Sequence, residues 1–147
     1  NNMYTSTTLS EYMDRYKVSW AKQLPEDTPP EDVVIACNGE SLFRLIHEDN
    51  VMTAEDLKTY AELHPEKRYR GDLWKASGLS SFCTLKDARS MSKLPSLRHL
   101  HGIAEIIMCP TYGVMQNTPS NKCTNHYTWW HTTFFDLGKA KIQCLKK

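Results

Sequence analysis

The chain lacks the features by which several classes of protein are recognised. Its 147 residues carry 18 Lys and Arg against 17 Asp and Glu, and a net charge of +1 gives no field that would indicate a stable nucleic-acid complex. No apolar run approaches the length of a membrane span, and the first residues carry no signal-peptide pattern. The five cysteines are odd in number and widely spaced, unlike a disulfide framework. We therefore expect no membrane partner and a reducing cytoplasm, in the producing cell or in a target cell reached through a dedicated secretion system.

The composition is that of an ordinary folded protein. Apolar residues make up 40% and charged residues 24% of the chain, which predicts a single domain over residues 1–147. Apolar residues recur at helical spacing over residues 8–23 and predict an N-terminal helix. Residues 33–37 and 41–46 are apolar runs separated by an Asn-Gly turn signal, so they predict a β-hairpin.

The rest of the chain is predicted to alternate short elements and loops. We expect a helix over 53–63, a turn and short strand over 78–84, a helix that begins over 86–91, and strands over 103–109, 125–135 and 139–145. The segment 110–124 is rich in Pro, Gly, Asn, Thr and Ser, and is predicted to be a long loop or a loosely paired excursion. Helices first and mostly short strands afterwards predict the α+β class.

Arg44 is the first candidate binding residue. Alternation along its strand places Arg44 on the same side as Leu42 and Ile46. A guanidinium among apolar neighbours needs a partner, and its rigid fork suits a phosphate or a carboxylate. Glu105 on the strand 103–109 could supply that carboxylate as an ion pair, or both side chains could lie in water.

Three segments together resemble the ADP-ribosyltransferase fold of bacterial and fungal toxins. Residues 41–46 match its early Arg-bearing strand, residues 78–84 match its Ser-containing strand, and residues 103–106 are a candidate for its Glu-bearing strand. The pattern Gly-x-Ser-x-Phe at 78–82, followed by Thr-x-His-Tyr-Thr at 124–128, is similar to toxin effectors of type VI secretion. The resemblance implies a split β-sheet core with N-terminal helices, and an NAD cleft between two small sheets.

The resemblance also implies roles for particular residues. Arg44 would contact the NAD phosphates or ribose, Ser80 or Ser81 would shape the nicotinamide pocket, and Glu105 would hold the ribose as the glycosidic bond breaks. The candidate catalytic residues are Ser81, Glu105 and His126, and the candidate NAD-binding residues are Arg44, Ser80, Tyr112 and Tyr127, the tyrosines by stacking on nicotinamide. His126 lies in a segment that mixes polar and aromatic groups, as ligand sites do.

The expected function is therefore that of a toxin for competition between bacteria, which cleaves NAD and transfers ADP-ribose to a macromolecule or a small molecule. A cognate immunity protein would neutralise it in the producer. The Glu105 strand lacks the Glu-x-Glu or Gln-x-Glu pair of arginine-modifying members, so the acceptor stays open. Alternatives are an NAD glycohydrolase, a ribonuclease that uses His126 with Lys67, Arg68 and Arg70, or a non-enzymatic immunity or binding module.

A zinc site is a further alternative, built from Cys109, Cys123, His126 and His131. His126 and His131 are five residues apart in a predicted strand, so they would face opposite sides of the sheet. We therefore predict no metal site.

Overall fold

A computed structural model describes residues 4–146, which form one eight-stranded antiparallel sheet with four short helices. The elements in chain order are β1 (Thr5–Thr8), α1 (Leu9–Tyr16), β2 (Asp32–Ile35), β3 (Ser41–Ile46), α2 (Tyr60–Leu63), α3 (Leu73–Ala76), β4 (Leu79–Phe82), α4 (Leu85–Met91), β5 (Gly102–Ile107), β6 (Gly113–Asn117), β7 (His126–His131) and β8 (Lys141–Cys144). The strand order is β1-β2-β6-β7-β4-β3-β5-β8, with β1 and β8 at the two edges. This architecture agrees with the α+β class.

Both faces of the sheet are covered by apolar side chains. On β3, Leu42 and Ile46 pack into one cluster with Trp129, whereas Phe43 and Leu45 pack into another on the opposite face. The alternation predicted for this strand is confirmed. A third cluster forms where α1 packs Tyr12 against residues of β2, β6 and β7.

The predicted hairpin of residues 33–37 and 41–46 is wrong. Strand β2 pairs with β1 and β6, while β3 pairs with β4 and β5. The Asn-Gly signal does mark a sharp bend, because Gly39 has a φ of +71°. The bend sends the chain away from β2, and each strand finds both of its neighbours elsewhere in the sequence.

The segment 110–124, predicted to be a long loop or a loosely paired excursion, instead contains β6, an interior strand between β2 and β7. Val114 and Met115 are completely buried there. Two apolar residues between Gly113 and a polar stretch give little periodic signal, so burial on both faces could not be read from the sequence. Prediction was better for α4, β5, β7 and β8, which fall within or beside the expected ranges.

The helices are shorter than predicted. The helix expected over 8–23 begins after its Thr8 cap but ends at Tyr16, where Lys17 takes a left-handed conformation with a φ of 50°. The helix expected over 53–63 is broken into the 3₁₀ turn Ala54–Leu57 and the single-turn helix α2. Strand β1 precedes α1, so the chain does not begin with helices.

The sheet has a gap between β3 and β4. These strands share one ladder pair, Phe43 opposite Phe82, although β3 pairs with β5 and β4 pairs with β7 along their whole lengths. Beyond that pair, the guanidinium of Arg44 donates a hydrogen bond to the main-chain carbonyl of Ser80. We call this region, from Arg44 on β3 to Ser80 on β4, the β3–β4 gap.

Candidate functional site

A cavity of about 760 Å³ lies beside the β3–β4 gap. Arg44 from β3, Ser80 from β4, and His126 and Thr128 from β7 are part of its lining. The segment 55–76 supplies a larger share of the lining, with smaller contributions from 96–100 and 118–120. The volume is in the range that small-molecule sites occupy.

Arg44 places a fixed positive charge in this cavity. Its side chain donates to the carbonyl oxygens of Ser80 and of Asp56, the latter at 2.5 Å. Burial lowers the pKa of Arg44 to about 10, a shift that the nearby Asp56 carboxylate opposes, so the guanidinium stays charged at neutral pH. Among residues 4–146 its buried Nε has no hydrogen-bond partner, which leaves one donor unused.

Asp56 lies in the 3₁₀ turn at the start of the lining segment 55–76. Its carboxylate accepts from the backbone N–H of Thr53 at 2.8 Å and of His47 at 2.9 Å, and its Oδ1 lies 2.6 Å from His47 Nδ1. Asp56 is buried, so these bonds replace the water that its carboxylate loses. The side chain fixes the 3₁₀ turn against β3, and the carbonyl of the same residue fixes Arg44.

Ser80 and His126 are joined across β4 and β7. Ser80 Oγ lies 2.5 Å from His126 Nε2, and His126 Nδ1 lies 2.9 Å from the carbonyl oxygen of Thr118. A carbonyl can only accept, so Nδ1 carries the ring proton and Nε2 accepts from the Ser80 hydroxyl. Burial lowers the pKa of His126, and the charges of Lys75 and Arg44 lower it further, so the ring is neutral at pH 7.

An aromatic group forms the outer wall of the cavity. The rings of Tyr60 and His64 are tilted by 42° with centroids 4.4 Å apart, and Tyr60 meets Tyr69 edge-on at 6.4 Å. Lys67 Nζ lies 4.8 Å from the centroid of Tyr60 and 5.9 Å from that of Tyr69. We call Tyr60, His64, Lys67 and Tyr69 the aromatic wall. It offers flat π-faces that already hold a cation.

The charges around the cavity slightly favour an anion. The lining cations are Arg44, Lys58, Lys67 and Lys75, and the lining carboxylates are Glu55, Asp56 and Asp72. Two of these carboxylates have partners, since Asp56 bonds to His47 and Glu55 pairs with Lys58 at 3.1 Å. Together with the aromatic wall, this lining suits a ligand that combines negative charge with a flat ring.

Three of the seven predicted site residues meet in the cavity: Arg44, Ser80 and His126. Their roles in binding or catalysis stay predictions. Ser81, by contrast, is completely buried, and its hydroxyl donates to the carbonyl of Leu79 at 3.3 Å. Adjacent residues of a strand point to opposite faces, so Ser80 and Ser81 cannot both line one pocket.

The other predicted site residues lie away from the cavity lining. Glu105 accepts a 2.6 Å hydrogen bond from Ser41 Oγ, and neither the predicted meeting of Arg44 with Glu105 nor the alternative ion pair between them is formed. The register explains this separation, because Arg44 stands opposite Ala104 while Glu105 stands opposite Phe43. Tyr112 packs edge-on against Phe135 at 5.5 Å, and Tyr127 against Tyr4 at 5.2 Å.

Sequence reasoning missed most of the cavity-lining residues of the segment 55–76. Tyr60 and His64 are four residues apart, a spacing that could have marked a shared face of a helix. Asp56 lies in the segment 53–63, which was predicted only to be a helix. Thr118 gave no signal, because its contribution is a main-chain carbonyl in a segment predicted to be loop.

The zinc alternative is not supported by the positions of its residues. Over residues 4–146, no group of three or more His, Cys, Asp and Glu side chains is arranged to hold a metal ion. Cys123 is instead buried in the apolar cluster with Phe82. In the same described part of the chain, no helix has the length and apolar character needed to cross a bilayer.

Comparison of the chain with protein-family models, with curated protein sequences and with solved structures gave no match.

Proposed function

We propose that this protein is a toxin that cleaves NAD and transfers ADP-ribose to an acceptor in the cytoplasm of a target cell. The observation that carries the proposal is the position of Arg44, buried in the β3–β4 gap and bonded to Ser80 at the edge of a nucleotide-sized cavity. The resemblance to ADP-ribosyltransferases implied that Arg44 and Ser80 are NAD-binding residues, and the hydrogen bond between them supports the proposal. The acceptor and an immunity protein as partner belong to the same proposal.

The two ends of NAD match different parts of the lining. The pyrophosphate is anionic and suits Arg44 and Lys75, two cations of the cavity lining. The nicotinamide ring is flat and positively charged, so it suits the π-faces of Tyr60 and Tyr69, where Lys67 now lies. Binding of the ring would exchange one cation for another.

Glu105 is left out of the proposed site. Its hydrogen bond to Ser41 and its absence from the cavity lining do not fit the role of holding the nicotinamide ribose. In the proposed site the chemistry therefore comes from groups that line the cavity, among which Ser80 and His126 are hydrogen-bonded to each other.

The first prediction concerns Lys67 and Arg44. We expect the purified protein to release nicotinamide from NAD and to label a target in a bacterial extract when the NAD carries a tag on its adenosine. Arg44→Lys keeps the charge but loses the planar fork, and should lower the rate of nicotinamide release at least about 10-fold.

Arg68→Ala is the matched control for Lys67→Ala, because Arg68 is the exposed neighbour in sequence and is not part of the cavity lining. Lys67→Ala should alter the Michaelis constant for NAD, whereas Arg68→Ala should not.

Expression in the bacterial cytosol provides the cellular readout. Growth should slow and NAD should fall with the wild-type chain, and Arg44→Lys should relieve both effects. Absence of nicotinamide release together with absence of any labelled target would refute the proposal. Circular dichroism of each variant separates a lost site from a lost fold.

A ribonuclease is the second candidate, because Lys67 and His126 line the same cavity. The cavity lining favours a ribonuclease less than an NAD-cleaving toxin, since Arg68 and Arg70 of the predicted basic group are not part of that lining. Loss of cellular RNA with unchanged NAD would decide for the ribonuclease.

A further inference from the structure

Ser80 is the hydroxyl that a ligand in the cavity can reach. It is exposed, whereas the neighbouring Ser81 is completely buried and bonded to a carbonyl. The carbonyl of Ser80 receives the Arg44 guanidinium, so the backbone that carries the hydroxyl is held from the side of β3. The residue therefore combines an accessible oxygen with a fixed position.

His126 is positioned to act as a base for Ser80. His126 Nε2 lies 2.5 Å from Ser80 Oγ, and the Thr118 carbonyl keeps the ring proton on the other nitrogen. Thr118 Oγ1 also lies 2.9 Å from His126 Nδ1 and 2.9 Å from Thr128 Oγ1, which ties this arrangement to β7. Phe82 packs edge-on against the imidazole at 5.5 Å. A nucleophile, a base and a group that orients the base are the three parts of an activated serine.

We propose that Ser80 is the nucleophile that accepts the ADP-ribosyl group of NAD, with His126 as its base and Thr118 as the residue that positions His126. The choice of NAD as substrate rests on the proposed function, whereas the assignment of an activated serine rests on these distances alone. It also explains how the cavity could work without Glu105, because a covalent bond to Ser80 would replace electrostatic support of the ribose by a carboxylate.

The first step joins Ser80 Oγ to the ribose carbon that carries nicotinamide. The glycosidic C–N bond breaks, and its electron pair neutralises the pyridinium nitrogen, so nicotinamide leaves uncharged. The hydroxyl proton of Ser80 passes to His126 Nε2. In the second step an acceptor hydroxyl or water attacks the same carbon and releases its own proton to solution. The bond to Ser80 breaks, and Ser80 Oγ takes back the proton held by His126.

The second prediction uses a fluorophosphonate probe, which phosphorylates activated serines with loss of fluoride and does not require NAD. We expect the wild-type chain to be labelled at Ser80, with no labelling of Ser80→Ala. Ser81→Ala is the matched control and should be labelled like the wild type. His126→Gln should slow labelling by about 100-fold, the size expected when a positioned base is lost. His101→Gln, which replaces an exposed histidine outside the cavity lining, should leave the labelling rate unchanged.

Two further measurements with NAD separate this inference from the proposed function. Acid quenching followed by peptide mass spectrometry should find ADP-ribose on Ser80. With methanol as acceptor, the product should retain the configuration that NAD has at the ribose carbon carrying nicotinamide, because two displacements invert this carbon twice. Nicotinamide release that is unchanged in Ser80→Ala, or an inverted product, would overturn the role of Ser80 and leave NAD cleavage standing. Labelling of Ser80 without any NAD cleavage would support the activated serine and reject NAD as its substrate. An unlabelled wild-type Ser80 would overturn the activated serine itself.

Discussion

His131 is a buried imidazole whose protonation opposes folding. It is 7% exposed and packs beside Trp129 with ring centroids 5.6 Å apart. Burial, followed by the charges of Lys22 and Arg44, lowers its pKa to about 4, although Glu62 acts in the opposite direction. The folded state therefore binds this proton less readily than the unfolded chain does, and the pKa of His126 shifts in the same direction.

The third prediction follows from the sign of that shift. The stability due to a neutral His131 is fully present above pH 6.5 and is lost as the pH falls from 6.5 towards 4, by on the order of 3 kcal/mol in total. Urea unfolding across this interval should show the slope, and His131→Gln, which has no proton to bind, should flatten it. The exposed His101→Gln is the control and should keep the wild-type slope. An equal slope in wild type and His131→Gln would contradict the assignment.

At the level of single residues, the need of Arg44 for hydrogen-bond partners was predicted correctly. An arginine among apolar neighbours had to find acceptors, and it found two carbonyls. Glu105 looked equally suitable because the sequence does not encode the register between two strands. One step in register decides whether a side chain stands opposite Arg44 or opposite Phe43.

Strand β6 depends on a glycine at its first residue. Gly113 has a φ of +128°, and a Cβ at this position would lie 2.1 Å from the carbonyl oxygen of Trp130 on β7. Such a separation is impossible, so β6 and β7 would have to move apart at the point where Gly113 pairs with His131. Both strands lie in the interior of the sheet.

The fourth prediction compares Gly113→Ala with Gly71→Ala. Gly71 also has a positive φ, +85°, but a Cβ there would have no neighbour within 4 Å. Gly71→Ala should therefore lose about 1–2 kcal/mol through backbone strain alone, and Gly113→Ala should lose clearly more, up to loss of the folded state. Thermal unfolding of both variants measures the difference. Similar losses in the two proteins would show that the contact with Trp130 is relieved without cost.

At the level of elements, local patterns were sufficient where an element is stabilised by its own residues. Helix α4 was expected, and Thr84 caps it by accepting from the backbone of Asp87 at 3.1 Å. The partners of β2 and β3 were missed because they are distant in sequence. Strand β6 pairs along its whole length with the next strand, β7, and was missed because its own residues give little periodic signal. The break between the 3₁₀ turn and α2 was missed because Asp56 is directed towards Thr53 and His47.

The fifth prediction concerns the whole molecule in the presence of its proposed substrate. A ligand that binds only the folded state stabilises it by about 2.7 kcal/mol when its concentration is 100 times Kd. We expect NAD to raise the unfolding midpoint of Ser80→Ala, a variant chosen because it should bind NAD without consuming it. Ser80→Ala combined with Tyr69→Ala should show a smaller rise, since it removes one π-face of the aromatic wall. An unchanged midpoint at saturating NAD would count against the cavity as an NAD site.

The cavity itself arises only at the level of the whole fold. Its lining comes mainly from strands β3, β4 and β7 and from the segment 55–76. No local sequence pattern indicates that these parts of the chain meet. The resemblance to ADP-ribosyltransferases singled out Arg44 and Ser80, but it implied only the order of their strands along the chain. It could not indicate the aromatic wall or the Thr118 carbonyl, because neither belongs to the motifs that carry the resemblance.

The strand order also sets a condition on how the chain can fold. Strand β2 pairs with β6 through Val34 and Met115. Strand β3 pairs with β5, although the whole stretch of chain from Ile46 to Gly102 lies between them. Closing such long loops costs entropy before the pairing is gained, so chains with distant contacts fold slowly. During synthesis, β2 and β3 emerge before the partners that cover them. The protein is therefore expected to reach its folded state only after most of the chain has left the ribosome.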